Sequence, residues 1–527
     1  MNIKRAKEEI KDTIEAYLYR DETGAYAIPA IRQRPVLLIG PPGVGKTQIM
    51  EQVARECRIG LVAYTITHHT RQSAVGLPFI EKKNYGGKEY SVTEYTMSEI
   101  VASIYDKIEE TGLKEGILFI DEINCVSETL APAMLQFLQC KTFGTHRIPE
   151  GWIIIAAGNP PEYNKSVREF DVVTLDRIKM IQIEPDFDVW KEYAYQMEIH
   201  PAVIGYLNIK RQYLCHIETT VDGKRFATPR GWEDLSRLIQ VYEKLGKRAD
   251  REVVGQYIQD PKISKDFANY LELFYKYQND YQVDRILAGQ WNESLCLRAE
   301  KAPFDERLSM TGLLLSRLSG RFGQVLLQEK VMERLTGILR RFQKVGPGGR
   351  PDQTGDGTPR EIQDFSPFAR LAQLIGETEK ERDQLKQQEL LTRQEELVYG
   401  KVLSMLEAYG TSLNRWEAEH REENTEHGVS AAWDFLREQF GADSDRYEEQ
   451  FDEAAAMLEH GFDFMEAAFG DGQEMVIFLT ELNSNFYCAG FLKEYDCPRY
   501  YEYNKRLLFD EEEDLLKNQM GFVDKGV

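Results

Sequence analysis

Apolar residues recur at helical spacing at the start of the chain. Ile10, Ile14, Tyr17 and Leu18 fall on one face of residues 4–19, which predicts an amphipathic opening helix. Short, nearly continuous apolar runs then alternate with longer helical patterns. The runs are Pro35–Gly40, Leu61–Ile66, Gly116–Ile120, Trp152–Ala157 and Met180–Ile183. Strands this short and this apolar, with helices between them, predict a parallel sheet covered on both faces. The first 186 residues therefore read as one α/β domain.

After Pro185 the pattern changes. Residues 187–290 show helical spacing, as in Trp232, Leu235, Leu238, Ile239 and Tyr242, and no clear strand. They read as a helical lid, followed by a helical connector over 291–345. Residues 346–359 hold five Gly and three Pro among 14 positions and read as a linker. Residues 360–527 read as an acidic helical arm and cap. Within it, 369–422 is either one straight arm of roughly 80 Å at 1.5 Å per residue or a folded-back helical hairpin. Gly400 and Gly410 are its candidate break points.

Composition sharpens this division. The chain has 527 residues, too many for one core, with 42% hydrophobic and 29% charged side chains, the balance of a globular protein. The net charge of −22 is unevenly placed: residues 351–527 carry 40 acids against 17 bases, and residues 1–350 carry 47 against 48. An acidic C-terminal third disfavours nonspecific nucleic-acid binding through that region. Seven cysteines without a CxxC pair suggest neither a disulfide framework nor a zinc cage, and buried structural roles are expected for Cys488 and Cys497. No apolar stretch is long enough to cross a membrane, and the N-terminal 20 residues lack a signal core, so a cytoplasmic, reducing setting is expected. The adjacent His68 and His69 face different ways and do not make a metal pair. The run Asp510–Asp514 reads as a solvated acidic face.

The chemistry gathers in the α/β region. Gly40-Pro41-Pro42-Gly43-Val44-Gly45-Lys46-Thr47 follows a predicted strand and opens a predicted helix, with Gln48 next. In that context the glycines turn backbone N–H groups toward a phosphate, and the helix N-terminus favours its negative charge. Lys46 supplies a point charge to the phosphates, and the Thr47 hydroxyl suits Mg²⁺. The strand Gly116–Ile120 ends in Asp121 and Glu122. Asp121 is a second candidate for holding Mg²⁺, and Glu122 a candidate base for an attacking water. Asn159 closes another strand, where its amide can orient that water or the terminal phosphate. Arg177, in Leu175-Asp176-Arg177, can offset transition-state charge on a neighbouring subunit, with Arg168 in reserve. Arg230, in Thr228-Pro229-Arg230, is placed at a helix start facing the nucleotide. A nucleoside triphosphate and Mg²⁺ are the expected ligands.

In this order, these elements resemble an AAA+ ATPase, and more closely its MoxR-type, dynein-related branch. The segment His69–Pro78 and the hairpin expected from Phe79–Lys83 and Glu89–Thr93 stand where that branch has its helix-2 insert. The segment Thr142–Pro149 resembles its pre-sensor hairpin, while Asn159-Pro160-Pro161-Glu162 and Leu175-Asp176-Arg177 resemble its sensor and arginine-finger segments. Ile178 departs from the usual Phe. The resemblance covers about residues 25–250. It implies a P-loop AAA+ core with a parallel sheet and helical lid, here followed by a long all-α extension. It also implies a self-assembled ring, commonly hexameric, that remodels a protein client, with a von Willebrand A-domain protein as an expected partner. The alternatives are a nucleic-acid motor, for which Lys82, Lys83 and Lys88 would line a pore, and an ATP-dependent scaffold with little turnover.

Overall fold

The computed structural model describes residues 1–68, 74, 76–143, 145–163, 170–220, 223–344, 366–420 and 428–506. Residues 69–73 and 75 of the expected His69–Pro78 segment, Arg168, the 346–359 linker and the 510–514 acidic run lie outside them. The chain divides into two compact units. One comprises Met1–Lys191, Lys210–Asp266 and Gln384–Leu391, and the other the remaining residues.

The first unit opens with helix α1, Ile3–Leu18, capped by the Asn2 side chain on Arg5 N–H. Strand β1 is Val36–Ile39, helix α2 is Lys46–Cys57 and β2 is Gly60–Thr65. A hairpin of β3, Pro78–Tyr85, and β4, Lys88–Tyr95, follows. After the helix Glu99–Thr111 come β5, Gly116–Asp121, and the helix Ala131–Cys140. A small hairpin, β6 at Thr142–Phe143 and β7 at His146–Arg147, leads into β8, Trp152–Gly158, and then β9, Lys179–Gln182. The main sheet has the order β2-β5-β8-β1-β9 and is parallel throughout. All five strands coincide with the five apolar runs.

Alternation along the strands divides the core in two. Val36, Leu38, Ile117, Phe119, Ile153 and Ile155 pack on one face against Ile10 and Ile14 of α1 and Met50 and Val53 of α2. Leu37, Leu118, Ile120, Ile154 and Ala156 pack on the other, against Ile100, Ile104 and Phe137. The central strands β5, β8 and β1 are therefore buried on both sides, which is why their sequences are solid apolar runs, whereas the edge strands β2 and β9 are partly exposed.

Three expectations are corrected. The β3–β4 hairpin is longer than its apolar pattern, with eight residues in each strand and Tyr85 paired to Lys88 inside the ladder. Residues 187–290 are not free of strands. His216–Thr220 (β10) pairs antiparallel with Gly223–Ala227 (β11). Its alternation is almost wholly polar, so it lacked the apolar signature of the main sheet. Third, the arm takes the folded-back form of its two expected readings, but its break point is not at either candidate glycine. It breaks into helices Pro367–Gln387 and Arg393–Glu419, and neither Gly400 nor Gly410 interrupts the second. The stop is local: Thr392 and Glu395 form a capping box that restarts the helix.

In the second unit, the helices Phe304–Lys344, Pro367–Gln387, Arg393–Glu419 and Gly428–Phe469 share a core of Leu335, Phe342, Leu371, Val402, Leu406 and Leu436. Cys488 and Cys497 are fully buried, as expected. Among the described residues, no helix is long and apolar enough to cross a membrane.

Candidate nucleotide site

The phosphate-loop segment connects the end of β1 to the start of α2. Gly43 and Gly45 sit at φ +79° and +92°, a conformation closed in practice to bulky side chains. Gly45 is the N-terminal cap of α2, so Lys46 and Thr47 begin a helix whose first N–H groups lack intrahelical acceptors. Those donors and the helix dipole make the turn receptive to an anion.

Lys46 is buried to 8% exposure. Its Nζ donates to Gly40 O at 2.7 Å, Pro41 O at 2.9 Å and Asn159 Oδ1 at 2.9 Å. All three acceptors are formally neutral. Burial pushes the ammonium down to about 8, opposed by the negative charge of Asp121 and reinforced by Arg230. Thr47 Oγ1 donates to Asp121 Oδ2 at 3.1 Å, which brings the two proposed Mg²⁺ ligands together. Asn159, just past β8, is held from behind: Asn124 Nδ2 donates to its carbonyl at 2.8 Å.

Glu122 adopts φ +56°, ψ +34°, a left-handed conformation that costs a non-glycine residue about 1–2 kcal/mol. Its N–H donates to Asp121 Oδ1 at 2.9 Å, and its Oε2 accepts from Thr67 Oγ1 at 3.1 Å. Strain at a carboxylate beside a phosphate-type turn is the pattern of a functional position.

Arg230 is the second residue of the helix Pro229–Lys244, which Thr228 caps by accepting from Gly231 N–H. A Cβ on Gly43 would lie 3.2 Å from Arg230 Cβ and 3.4 Å from Thr228 Cβ, so this helix start borders the loop. Pro42, Val44 and Gln48 complete the turn, with Gln48 exposed. Arg177 stands apart. It is exposed, and its guanidinium donates to Gln139 Oε1 at 2.6 Å rather than to the phosphate loop.

Four neighbours were not singled out from the sequence. Thr67 and Asn124 brace Glu122 and Asn159. Thr228 borders Gly43. Cys215 lies within the electrostatic reach of Lys46, and burial pushes its thiol up to about 11. Thr228 precedes a proline and reads as a cap; the other three carry no local signal. Of the lysines considered for a nucleic-acid pore, Lys82 pairs with Glu89 at 2.8 Å and Lys83 with Glu94 of the same hairpin.

Known families, relatives and solved structures include partial matches to this chain. Residues 36–174 match the family described as ATPase family associated with various cellular activities (AAA). The matched segment contains Lys46, Asp121 and Asn159 and is similar to an AAA ATPase domain. The chain is 30% identical over 143 residues to the ATPase family gene 2 protein homolog B of Mus musculus, a match spanning 26% of this chain and only 16% of that protein. Among solved structures it is similar to a point mutant of Thermotoga maritima RuvB, with TM-score 0.28 and 16% identity over 49% of this chain and 69% of that one. It is also similar to NtrX from Brucella abortus in complex with ADP, with TM-score 0.24 and 16% identity over 39% and 45% of the two chains.

Proposed function

We propose that this chain is a Mg²⁺-dependent ATPase of the MoxR-type AAA+ branch, assembling as a ring and using hydrolysis to remodel a protein client. The observation that carries the ATPase reading is Lys46. It is a buried ammonium satisfied only by neutral oxygens, at the N-terminus of a helix and in contact with Asn159. An anionic phosphate supplies the counter-charge it lacks.

Thr47 and Asp121 fit a Mg²⁺ ion, because a hydroxyl and a carboxylate 3.1 Å apart are hard oxygen donors of the type it prefers. When bound, the ion would neutralise charge on the phosphates. In the proposed reaction a water oxygen attacks the γ-phosphorus, Glu122 takes the proton, and the bond to the β–γ bridging oxygen breaks to release ADP. Asn159 orients the water or the γ-phosphate, and Arg230 approaches the phosphates from the helix start beside Gly43.

The branch reading is supported by the β3–β4 hairpin standing between β2 and the helix Glu99–Thr111, and by the β6–β7 hairpin preceding β8. The ring reading is supported by Arg177, whose exposed guanidinium lies free of its own phosphate loop and so suits a neighbour's nucleotide. A protein with a von Willebrand A domain is the proposed partner.

The test is a pair of variants. Glu122→Gln should retain ATP binding and lose about 10²–10⁴-fold in turnover, while Lys46→Ala should lose ATP binding. Both are read by nucleotide titration and phosphate release. Undiminished turnover in Glu122→Gln would remove the catalytic assignment. The Glu122→Gln protein, holding ATP, is also the form with which to capture the client.

A further inference from the structure

A second constellation lies in the same unit, outside the nucleotide cradle. His216 and Glu218 stand two residues apart on β10, so their side chains leave the same face of the strand. Asp260 precedes the helix Pro261–Tyr281 and is 5% exposed. Its Oδ1 accepts from the N–H groups of Lys262 at 2.9 Å and Ile263 at 3.0 Å, capping that helix. Its Oδ2 faces His216 Nε2 at 3.9 Å, too far for a hydrogen bond. One ligand atom from each of His216, Glu218 and Asp260 lies within 4.8 Å of the other two.

We propose that His216, Glu218 and Asp260 form a binding site for a divalent transition-metal cation, Zn²⁺ by preference. Three observations carry it. The donors come from two separate elements and converge, whereas a run of surface acids would share one element. The set is one imidazole nitrogen and two carboxylate oxygens, which favours Zn²⁺ and its neighbours over Mg²⁺ and Ca²⁺. The spacing also suits a shared ion: ligands bonded at about 2.0–2.2 Å to one Zn²⁺ lie roughly 3.3–3.6 Å apart, so the His216–Asp260 gap need close only slightly. A hydrogen-bonded His–Asp pair would instead have closed to about 2.8 Å.

Two neighbours bear on the site. Arg225 lies opposite Glu218 in the β10–β11 register, and it competes with the metal for that carboxylate. The Tyr213 ring stands edge-on to the His216 ring at 6.1 Å and limits its rotation. A bound cation would tie β10 to the start of the helix Pro261–Tyr281. Strand β11 runs directly into Thr228 and Arg230 beside Gly43, so the clamp would steady one wall of the nucleotide cradle.

The experiment uses the untagged full-length protein without nucleotide, titrated with Co²⁺ and then Zn²⁺. One Co²⁺ per chain should bind with visible ligand-field absorption and be displaced by Zn²⁺. His216→Ala and Asp260→Asn should each weaken Zn²⁺ affinity by about 100-fold or more, since even outer-shell partners are worth 10–100-fold. Asparagine at 260 keeps the helix cap, and Glu218 is exposed, so Asp260→Asn and Glu218→Gln both test ligation in folded protein. Asp121→Asn, at the separate Mg²⁺ site, should leave Zn²⁺ affinity unchanged. Zn²⁺ should raise the melting temperature of the parent protein but not of Glu218→Gln. Absence of saturable Co²⁺ binding would overturn the site, as would stoichiometric binding that survives both His216→Ala and Glu218→Gln.

Discussion

Glu481 of the helical unit and Lys46 of the α/β unit are buried in opposite surroundings. In the helical unit each buried carboxylate meets strong donors. Glu481 accepts from Tyr195 Oη at 2.7 Å and Asn208 Nδ2 at 3.1 Å, and Glu474 pairs with Arg307 at 2.8 Å. In the α/β unit the buried Lys46 has two carbonyls and an amide, with no carboxylate in hydrogen-bond contact. The first arrangement is closed and holds helices together; the second is left open to an anion. Lys141 shows that burial with neutral acceptors is not sufficient. It donates to Gln33 Oε1 at 2.9 Å and burial pushes it down to about 8, yet it caps the end of the helix Ala131–Cys140 rather than opening one. What distinguishes Lys46 is the convergence of the turn, the helix start, Asp121 and Asn159.

The largest expected effect breaks the closed side of the comparison. Glu481→Leu leaves the Tyr195 hydroxyl and the Asn208 amide buried without an acceptor. It should lower unfolding free energy by about 2–5 kcal/mol, read as a drop in the urea midpoint. Glu481→Gln keeps an acceptor oxygen and should lose less than half as much. Equal losses for both would mean that packing, not the hydrogen bonds, matters at this position.

The next sharpens the open side. Phosphate binding needs Lys46 protonated, and burial has lowered the free protein's Lys46 from its ordinary 10.5 to about 8. On the proposed reading a bound phosphate raises it again, so the affinity for ATP should be flat from about pH 7, where the terminal phosphate is fully ionised, to pH 8 and fall above it. The decline should approach tenfold per pH unit, the limit for one linked proton. The sign for stability is opposite. The unfolded chain holds this proton up to about 10.5, so the burial penalty is fully present below pH 8 and is relieved as pH rises through that window. Isothermal titration at fixed ionic strength checks the affinity. A flat profile to pH 10 would mean that Lys46 does not meet the phosphates.

How much of this was legible in the sequence follows the same division. The five main strands and the phosphate turn could be read because each is a contiguous signal: solid apolar runs, or glycines before a lysine. Asp121 and Asn159 were legible as polar residues ending such runs. Thr67, Asn124 and Asp260 were not, because ordinary polar residues acquire a role only when distant segments meet. The β10–β11 hairpin escaped notice because His216-Ile217-Glu218-Thr219-Thr220 is mostly polar, and only Asp222-Gly223 signals a turn. The acidic excess beyond residue 350 was plain, but it does not reveal how the helices pack. Some of those acids sit in surface pairs such as Arg334–Glu381 and Arg446–Asp443, which contribute little individually.

The smallest effect concerns the arm, where glycines suggested breaks that the structure does not contain. The helix Arg393–Glu419 runs through Gly400 and Gly410, and neither has a positive φ. A Cβ at Gly400 would meet nothing within 4 Å, and one at Gly410 would touch Phe368, Ile375 and Leu371 at 3.8–3.9 Å, ordinary van der Waals distances. Alanine fits both positions without displacing a neighbour and restricts the unfolded chain. Gly400→Ala should therefore stabilise the helical unit by about 0.5–1 kcal/mol. Gly410→Ala should gain at least as much, because its methyl group adds contacts with the core as well as restricting the backbone. The check is a rise in the denaturation midpoint of this unit at unchanged slope. A lower midpoint at either position would mean that the helix bends there, as the sequence alone suggested, and that its glycine is required for the fold-back.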